Sequence, residues 1–581
     1  MRKLKAEQVF VLFCTVLFFA AFVNRLFYGI ETSDEAFYCA TGYRLMKGNI
    51  PFGDMWEPNA ANSFIMAPFL FARSFLVTDG EGIQLYLRLC FLVPSVFAAY
   101  SVYKYARTSL KKEYSFLLGL LILFYAPFQV FSFSYNNMLN VFMTISICMF
   151  LLAIHKQSKI YCYFSGLAMA LAVLAYPTVI YICVFLLVLF LILKPLRQGL
   201  LFSYYYSLGG LTLALPIVIY LLYFVGIDAL IKNLSFILTA DSAHSVSISY
   251  ILKKILDALV YLKTPFVENG NFFSLYWFML IALSMFKRTK TYAKFLVIFF
   301  PLLCCNCSLY GVTRVKTVMR LIFSLSVVAP VVLLLSDNKL ETIKRFLLEW
   351  GMAILLYFTL AFSSGGGERQ AIHGLILATI ISTKLLLEVL CSEPLIRYHK
   401  LVSYVLIAGI IGCEIFAFYS GTYREAPYEK LTAKVEQGVY KGLFTTPERK
   451  KHITDLESVM KKIEEKDETV MILYHSCYAY LMTDMLAKIP STWGAYDFKA
   501  YKFDNQNMFL EYLKHKDNIP RNIYIVDIPK KFDFARQKTE YYKPFYPKLN
   551  KFIENHYKLI GTYEEGLSGK VTKYKVDDTS F

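Results

Sequence analysis

Charge is scarce in this sequence: 18% of its 581 residues are Asp, Glu, Lys or Arg, against 57% that are hydrophobic. A soluble chain of this size has no need of so much apolar surface. A cysteine framework is lacking too. Most of the 12 cysteines lie in apolar runs, where Cys acts as a small hydrophobe. Cys304-Cys305-Asn306-Cys307 lacks zinc spacing and a following His pair, so it reads as small residues inside a helix. No basic patch with interleaved aromatics is present, so the net charge of +18 does not point to nucleic acid. No internal repeat stands out. After Phe27 there is no convincing small-x-small cleavage site, so the first apolar run is expected to stay as an uncleaved span.

Apolar runs of membrane-spanning length do recur, from residue 8 to residue 419. Lys and Arg collect in short connections at 104–112, 155–159, 194–197, 287–290, 339–345 and 397–400. By the positive-inside rule these turns are cytoplasmic, as is Met1-Arg2-Lys3-Leu4-Lys5. The pattern predicts a polytopic α-helical membrane protein with about thirteen spans. The region 160–193 reads as two short spans broken near Tyr176-Pro177-Thr178. The odd count places the N-terminus in the cytoplasm of a multi-pass plasma-membrane protein and the C-terminus outside. Two outer loops are long, 29–80 and 226–271. The first has helical patterns at 35–47 and 61–77, both expected to lie in the interface; the second has an amphipathic piece at 248–262.

Composition changes sharply after residue 419. The membrane domain is therefore read as 1–419, and 420–581 as an extracytoplasmic α/β domain. Helical patterns at 447–466 and 479–488 flank β-type runs at 470–474 and 523–526. This tail contains no Gly-x-Gly-x-x-Gly or Walker loop, and its lone Cys477 excludes an internal disulfide. It reads as an accessory domain.

Chemistry concentrates in residues 31–59, where Glu31, Asp34, Glu35, Asp54 and Glu57 follow directly on the first span. Carboxylates are costly beside lipid, so such a cluster asks for a function. Three further loops fall on the same face. They carry Tyr135, Asn136 and Asn137; Arg314, Lys316 and Arg320; and Arg369 and His373. Sugar transfer from a lipid phosphate needs a base for the attacking hydroxyl and cations for the departing phosphate. Asp34 and Glu35 are the candidate bases. Arg314, Arg320, Arg369 and His373 are the candidate phosphate contacts, and Asp54, Glu57, Tyr135, Asn136 and Asn137 the candidate substrate contacts. Each also has a structural reading: Asp34 or Asp54 as a helix cap, Arg320 as a snorkelling anchor, Asn136 and Asn137 as turn caps.

The first loop, with Asp34-Glu35-Ala36-Phe37-Tyr38, Gly48, Pro51-Phe52 and Asp54, resembles that of the GT-C membrane glycosyltransferases. Within them it looks like bacterial relatives of the protein O-mannosyltransferases and of the aminoarabinose transferase acting on lipid A. The resemblance implies a polyprenyl-phosphate-sugar donor, a cell-envelope acceptor (glycan, lipid or protein), inversion at the anomeric carbon, and Asp34 as base. Several relatives carry an acid in the next outer loop, in some linked to metal or acceptor binding. Here that loop reads Ser134-Tyr135-Asn136-Asn137, so no cofactor is expected and a divalent metal is disfavoured. Two other functions stay open: a flippase for a lipid-linked sugar, and a non-catalytic membrane assembly protein. A flippase would put ionisable groups at mid-span, whereas those seen here gather at one face.

Overall fold

The computed structural model describes residues 6–57, 59–77, 79–124, 131–240, 270–286, 288–297, 324–335, 339–363, 368–392, 399–420, 422–473, 477–493, 503–504, 506–529, 547–566 and 569–580, with a few isolated positions besides. Sixteen helices precede the tail among these residues. They are α1 (Ala6–Leu26), α2 (Asp34–Met46), α3 (Asn62–Ser74), α4 (Ile83–Ala106), α5 (Lys112–Phe124), α6 (Tyr135–Lys156), α7 (Lys159–Ala175), α8 (Ile180–Leu193), α9 (Leu196–Phe224), α10 (Ile227–Ala240), α11 (Gly270–Met285), α12 (Lys290–Leu296), α13 (Val328–Leu335), α14 (Lys339–Ser363), α15 (Glu368–Ser392) and α16 (His399–Ser420). Among the described residues, five helical stretches are long and apolar enough to cross a bilayer: Gln8–Leu26, Ile83–Ala106, Tyr135–Lys156, Leu196–Phe224 and Ala371–Val389. Shorter apolar helices accompany them, among them Lys159–Ala175 and Pro177–Leu193. The break between these two is a single 3-10 turn at Pro177–Val179, where the proline ring cannot continue the preceding helix.

Local chemistry sets the helix starts. The Ser134 side chain accepts from the Asn137 backbone N–H at 3.3 Å, capping α6. Small residues set the closest helix approach. A Cβ added at Gly166 would collide with the Tyr206 carbonyl, and one at Gly209 with that of Tyr163. Paired glycines thus let α7 and α9 pack backbone to backbone, a device of membrane helices. Arg25, buried at the end of α1, donates to the Phe418 carbonyl at 3.0 Å and ties α1 to α16.

In the tail, β1 (Ala433–Lys434) pairs with β2 (Phe444–Thr445) and β5 (Asp497–Phe498) with β6 (Phe503–Asp504), and a five-stranded mixed sheet runs in the order β4 (Leu486–Ala487), β3 (Thr469–Leu473), β7 (Asn522–Asp527), β9 (Lys570–Val576), β8 (Tyr557–Glu564). β3 runs parallel to both β4 and β7, with Ile472 opposite Tyr524, while β9 runs antiparallel to β7 and β8. β3 is buried along Val470–Leu473, as a central parallel strand covered on both faces must be. Helix α17 (Pro447–Ile463) starts on a Thr446 cap with Pro447 in its first turn. The helix expected at 479–488 does not form. That stretch is a 3-10 turn at Cys477–Leu481 followed by β4. The Tyr480 hydroxyl, bonded to both backbone groups of Ile472 at 2.7 Å, pins the turn to β3. Most of the amphipathic piece expected at 248–262 lies outside the described residues.

The first loop and the tail are clasped together. The Trp56 N–H donates to the Pro490 carbonyl at 2.7 Å, and the Gly29 N–H to that of Phe444 at 2.8 Å. Asn49 reaches the Ala487 carbonyl at 2.9 Å, and Lys47 pairs with Asp484 at 2.5 Å. Loop and tail therefore share one face of the helix bundle.

Candidate active site

The five carboxylates of the first loop have separate fates. Glu35 is fully buried, and Arg88 grips both its oxygens at 2.7 and 2.6 Å. Arg88 also donates to the Leu26 and Gly29 carbonyls, each at 2.8 Å, which closes the end of α1. The expected role of Glu35 as a base therefore gives way to a structural one, since both oxygens are committed to a guanidinium. Glu57 is buried and accepts from the Thr492 N–H at 2.6 Å, with Arg44 4.0 Å away. Burial raises its pKa, and Arg44 and the Thr492 bond counter this. Asp54 accepts from the Ile50 N–H at 2.8 Å and faces Lys488 at 3.4 Å. It closes its own turn, as a cap would. Asp54 and Glu57 thus hold the loop to the tail, where substrate contact had been expected.

Glu31 is buried and accepts from the Glu35 N–H at 2.6 Å and the Ser33 N–H at 3.1 Å. Burial raises its pKa, and neighbouring Asp34 adds to the rise. Asp34 stands apart. Its side chain is 32% exposed, against 5% for Glu31, 0% for Glu35, 18% for Asp54 and 3% for Glu57. It opens α2, where the helix dipole favours a negative charge. Arg424 pairs with it at 3.1 Å and the Tyr423 hydroxyl donates to it at 3.0 Å. Both partners come from the first residues of the tail. Burial alone would lower the Arg424 pKa, but Asp34 and Glu31 outweigh it and raise it. Arg424 holds a left-handed backbone, φ 54°, uncommon for a residue with a side chain.

An aromatic row leads from Asp34. Tyr38, one helical turn on, lies 5.5 Å from Tyr135, which stacks on Tyr176 at 5.7 Å. The row ends at the helix break before Pro177. Trp493 of the tail sets its ring edge-on to Phe37 at 5.2 Å. Asn136 and Asn137 are buried at the start of α6, and Asn137 Nδ2 donates to the Ser132 carbonyl at 3.1 Å. The α6 cap is the Ser134 side chain, to which Asn137 gives only its backbone N–H, so neither asparagine side chain is the cap. One turn deeper, Asn140 lies 3.4 Å from His373 Nδ1.

His373, expected in an exposed loop, is 1% exposed, because α15 already begins at Glu368. Arg369 falls in the first turn of that helix. Arg314, Lys316 and Arg320 lie outside the described residues. Among the described residues no group of three or more His, Cys, Asp or Glu side chains could hold a metal ion. Tyr423, Arg424 and Arg88 were not legible as site residues in the sequence. The only local signal for the first two is the Arg424-Glu425 pair just after the last apolar run.

A family model, dolichyl-phosphate-mannose-protein mannosyltransferase, matches residues 62–224, which lie just after the acidic loop. No curated protein matches the chain. Among solved structures, the chain is similar to the archaeal oligosaccharyltransferase AglB from Archaeoglobus fulgidus, solved with an inhibitory peptide and a dolichol-phosphate. The identity is 13%, the TM-score 0.46, and the match covers 98% of this chain and 74% of that one. It is also similar to ArnT from Cupriavidus metallidurans in the apo state, at 11% identity and a TM-score of 0.40, covering 98% and 99% of the two chains. At such scores neither likeness assigns a role to any residue. The matched segment is 163 of the 581 residues, and it directly follows the first-loop pattern that resembles the GT-C membrane glycosyltransferases.

Proposed function

We propose that the chain moves a sugar from a polyprenyl-phosphate donor to a hydroxyl of a cell-envelope acceptor, with inversion and with Asp34 as general base. The observation that carries this reading is the exposure of Asp34 among four carboxylates already committed to partners. In the reaction, Asp34 takes the proton of the acceptor hydroxyl as its oxygen attacks the anomeric carbon. The bond from that carbon to the phosphate oxygen breaks, and the polyprenyl phosphate departs. Arg424, beside Asp34, offers a planar donor pair to the charge that develops on the phosphate. Arg314, Arg320 and Arg369 are proposed as further phosphate contacts, whereas His373 is set aside from that role by its burial. Tyr38, Tyr135 and Tyr176 provide faces on which a sugar ring packs. Asn136 and Asn137 supply amide groups at the same helix end. The shared face of loop and tail is taken to be the extracytoplasmic one.

The test is transfer from a panel of labelled polyprenyl-phosphate sugars by the purified full chain in detergent. Asp34→Asn is expected to lower kcat by about 10²-fold or more while donor binding persists. Full activity in that variant sinks the base assignment. Movement of the lipid across vesicles without transfer would favour a flippase instead.

A further inference from the structure

Helices α8 and α14 leave a groove of about 980 Å3 between them, running from Tyr181, just after the turn at Pro177–Val179, to Leu193. Its α8 wall includes Tyr181, Phe185 and Ile192, and its α14 wall Leu347 and Leu355. Lys344 and Arg345 close one end. That end is far from the tail: Arg345 pairs with Glu388 at 2.9 Å, late in α15, and Glu388 is also bonded by Ser109, just beyond the far end of α4.

We propose that this groove holds one anionic phospholipid, its phosphate on Lys344 and Arg345 and its acyl chains between α8 and α14. Three observations point to that occupant. The first is length. From Tyr181 to Leu193 the groove follows α8 for about 18 Å at 1.5 Å per residue. One leaflet of hydrocarbon is half of roughly 30 Å, so the groove suits the chains of one leaflet lipid.

The second is charge. Arg345 is held by Glu349 at 3.2 Å and by Glu388, and Lys384 bonds both of these acids at 3.0 Å. Arg345 and Lys384 thus balance the two carboxylates, and the exposed Lys344 is the cation in excess at the groove mouth. Lys194 and Arg197 follow directly on Leu193, the last α8 residue of the wall. Basic pockets between membrane helices on such a face select anionic headgroups.

The third is shape. Gly351 lies on the wall, and a Cβ there would meet nothing nearer than the Phe346 carbonyl at 3.9 Å. The space beside it is open to a chain. The Arg345–Glu349–Lys384–Glu388 network holds the guanidinium in place at the mouth, which a mobile surface arginine would not achieve.

The proposal is independent of the sugar-transfer reading. Its test is native mass spectrometry of the full chain, released from detergent with equal amounts of phosphatidylglycerol and phosphatidylcholine of the same chain length. The wild type is expected to retain phosphatidylglycerol preferentially, by roughly fivefold for each contributing cation. Lys344→Ala should cut that preference roughly fivefold and leave phosphatidylcholine retention unchanged. Gly351→Phe, which fills the groove but keeps every charge, should lose both adducts. Equal retention of the two lipids by the wild type overturns the proposal. So does undiminished phosphatidylglycerol retention in Gly351→Phe. Because Lys344 is exposed and the space beside Gly351 is open, both variants are expected to elute as the wild type does.

Discussion

Asp34 and Glu35 are adjacent in sequence yet differ in what surrounds them. Glu35 points into the bundle and meets Arg88, 53 residues on. Asp34 stays near the surface and meets Tyr423, 389 residues away. The pair with Arg88 is buried on both sides, so removing one partner leaves an uncompensated charge in an apolar setting. Glu35→Gln is expected to destabilise the protein by about 3–5 kcal/mol, read as a lowered unfolding midpoint in detergent. Asp34→Asn should move that midpoint far less, because its side chain is partly solvated. If the two variants unfold alike, the separation of structural and chemical carboxylates fails. The acid cluster itself was visible in the sequence. Which acid stays accessible was not, because the guanidinium that buries Glu35 and the one that greets Asp34 both come from distant segments.

At the scale of elements, helices were legible because apolar periodicity and terminal charges are local signals. The break at Tyr176-Pro177-Thr178 followed from proline chemistry alone. The stretch 479–488 misled because its helical spacing is overridden by the Tyr480 hydroxyl and by strand pairing of Leu486 and Ala487 with β3. The glycine crossing of α7 and α9 gives a sharp prediction. Gly166→Leu drives a side chain into the Tyr206 backbone. Overpacking of this kind costs about 1–3 kcal/mol or more, so the monodisperse yield on size exclusion should fall steeply.

In the tail, Lys573 and Lys575 bond Glu465; although partial burial would raise its pKa, these cations hold it down at about 2. An acid whose folded pKa lies below its unfolded value near 4.5 adds stability above that pH and loses it as pH falls toward 2. The protection factors of the β9 amides, exchange rates taken relative to the intrinsic rate at each pH, are therefore expected to fall progressively below pH of about 4.5. Protection factors that stay constant down to pH of about 2 would show that this pair contributes nothing.

On the scale of the whole molecule, the tail is more than an appendage. It supplies Tyr423 and Arg424 to the candidate site and holds the first loop through Arg44, which donates to the Ile489 carbonyl at 2.7 Å and to Asn49 at 3.1 Å. Arg44→Met should loosen loop from tail without touching Asp34. The expected result is faster limited proteolysis within 43–57 and a matching loss of transfer. Proteolysis at the wild-type rate would count against this clasp.

The amino-acid sequence by itself determined the membrane class, the approximate helix placement, the change of character after residue 419 and the acidic loop, because each rests on composition or short-range periodicity. Only the tertiary structure decided that four of the five carboxylates serve the fold, that His373 is buried, and that Arg424 stands beside Asp34. The physical reason is the same in each case. A charge's role depends on its partner and its exposure, and both are set by segments tens to hundreds of residues away.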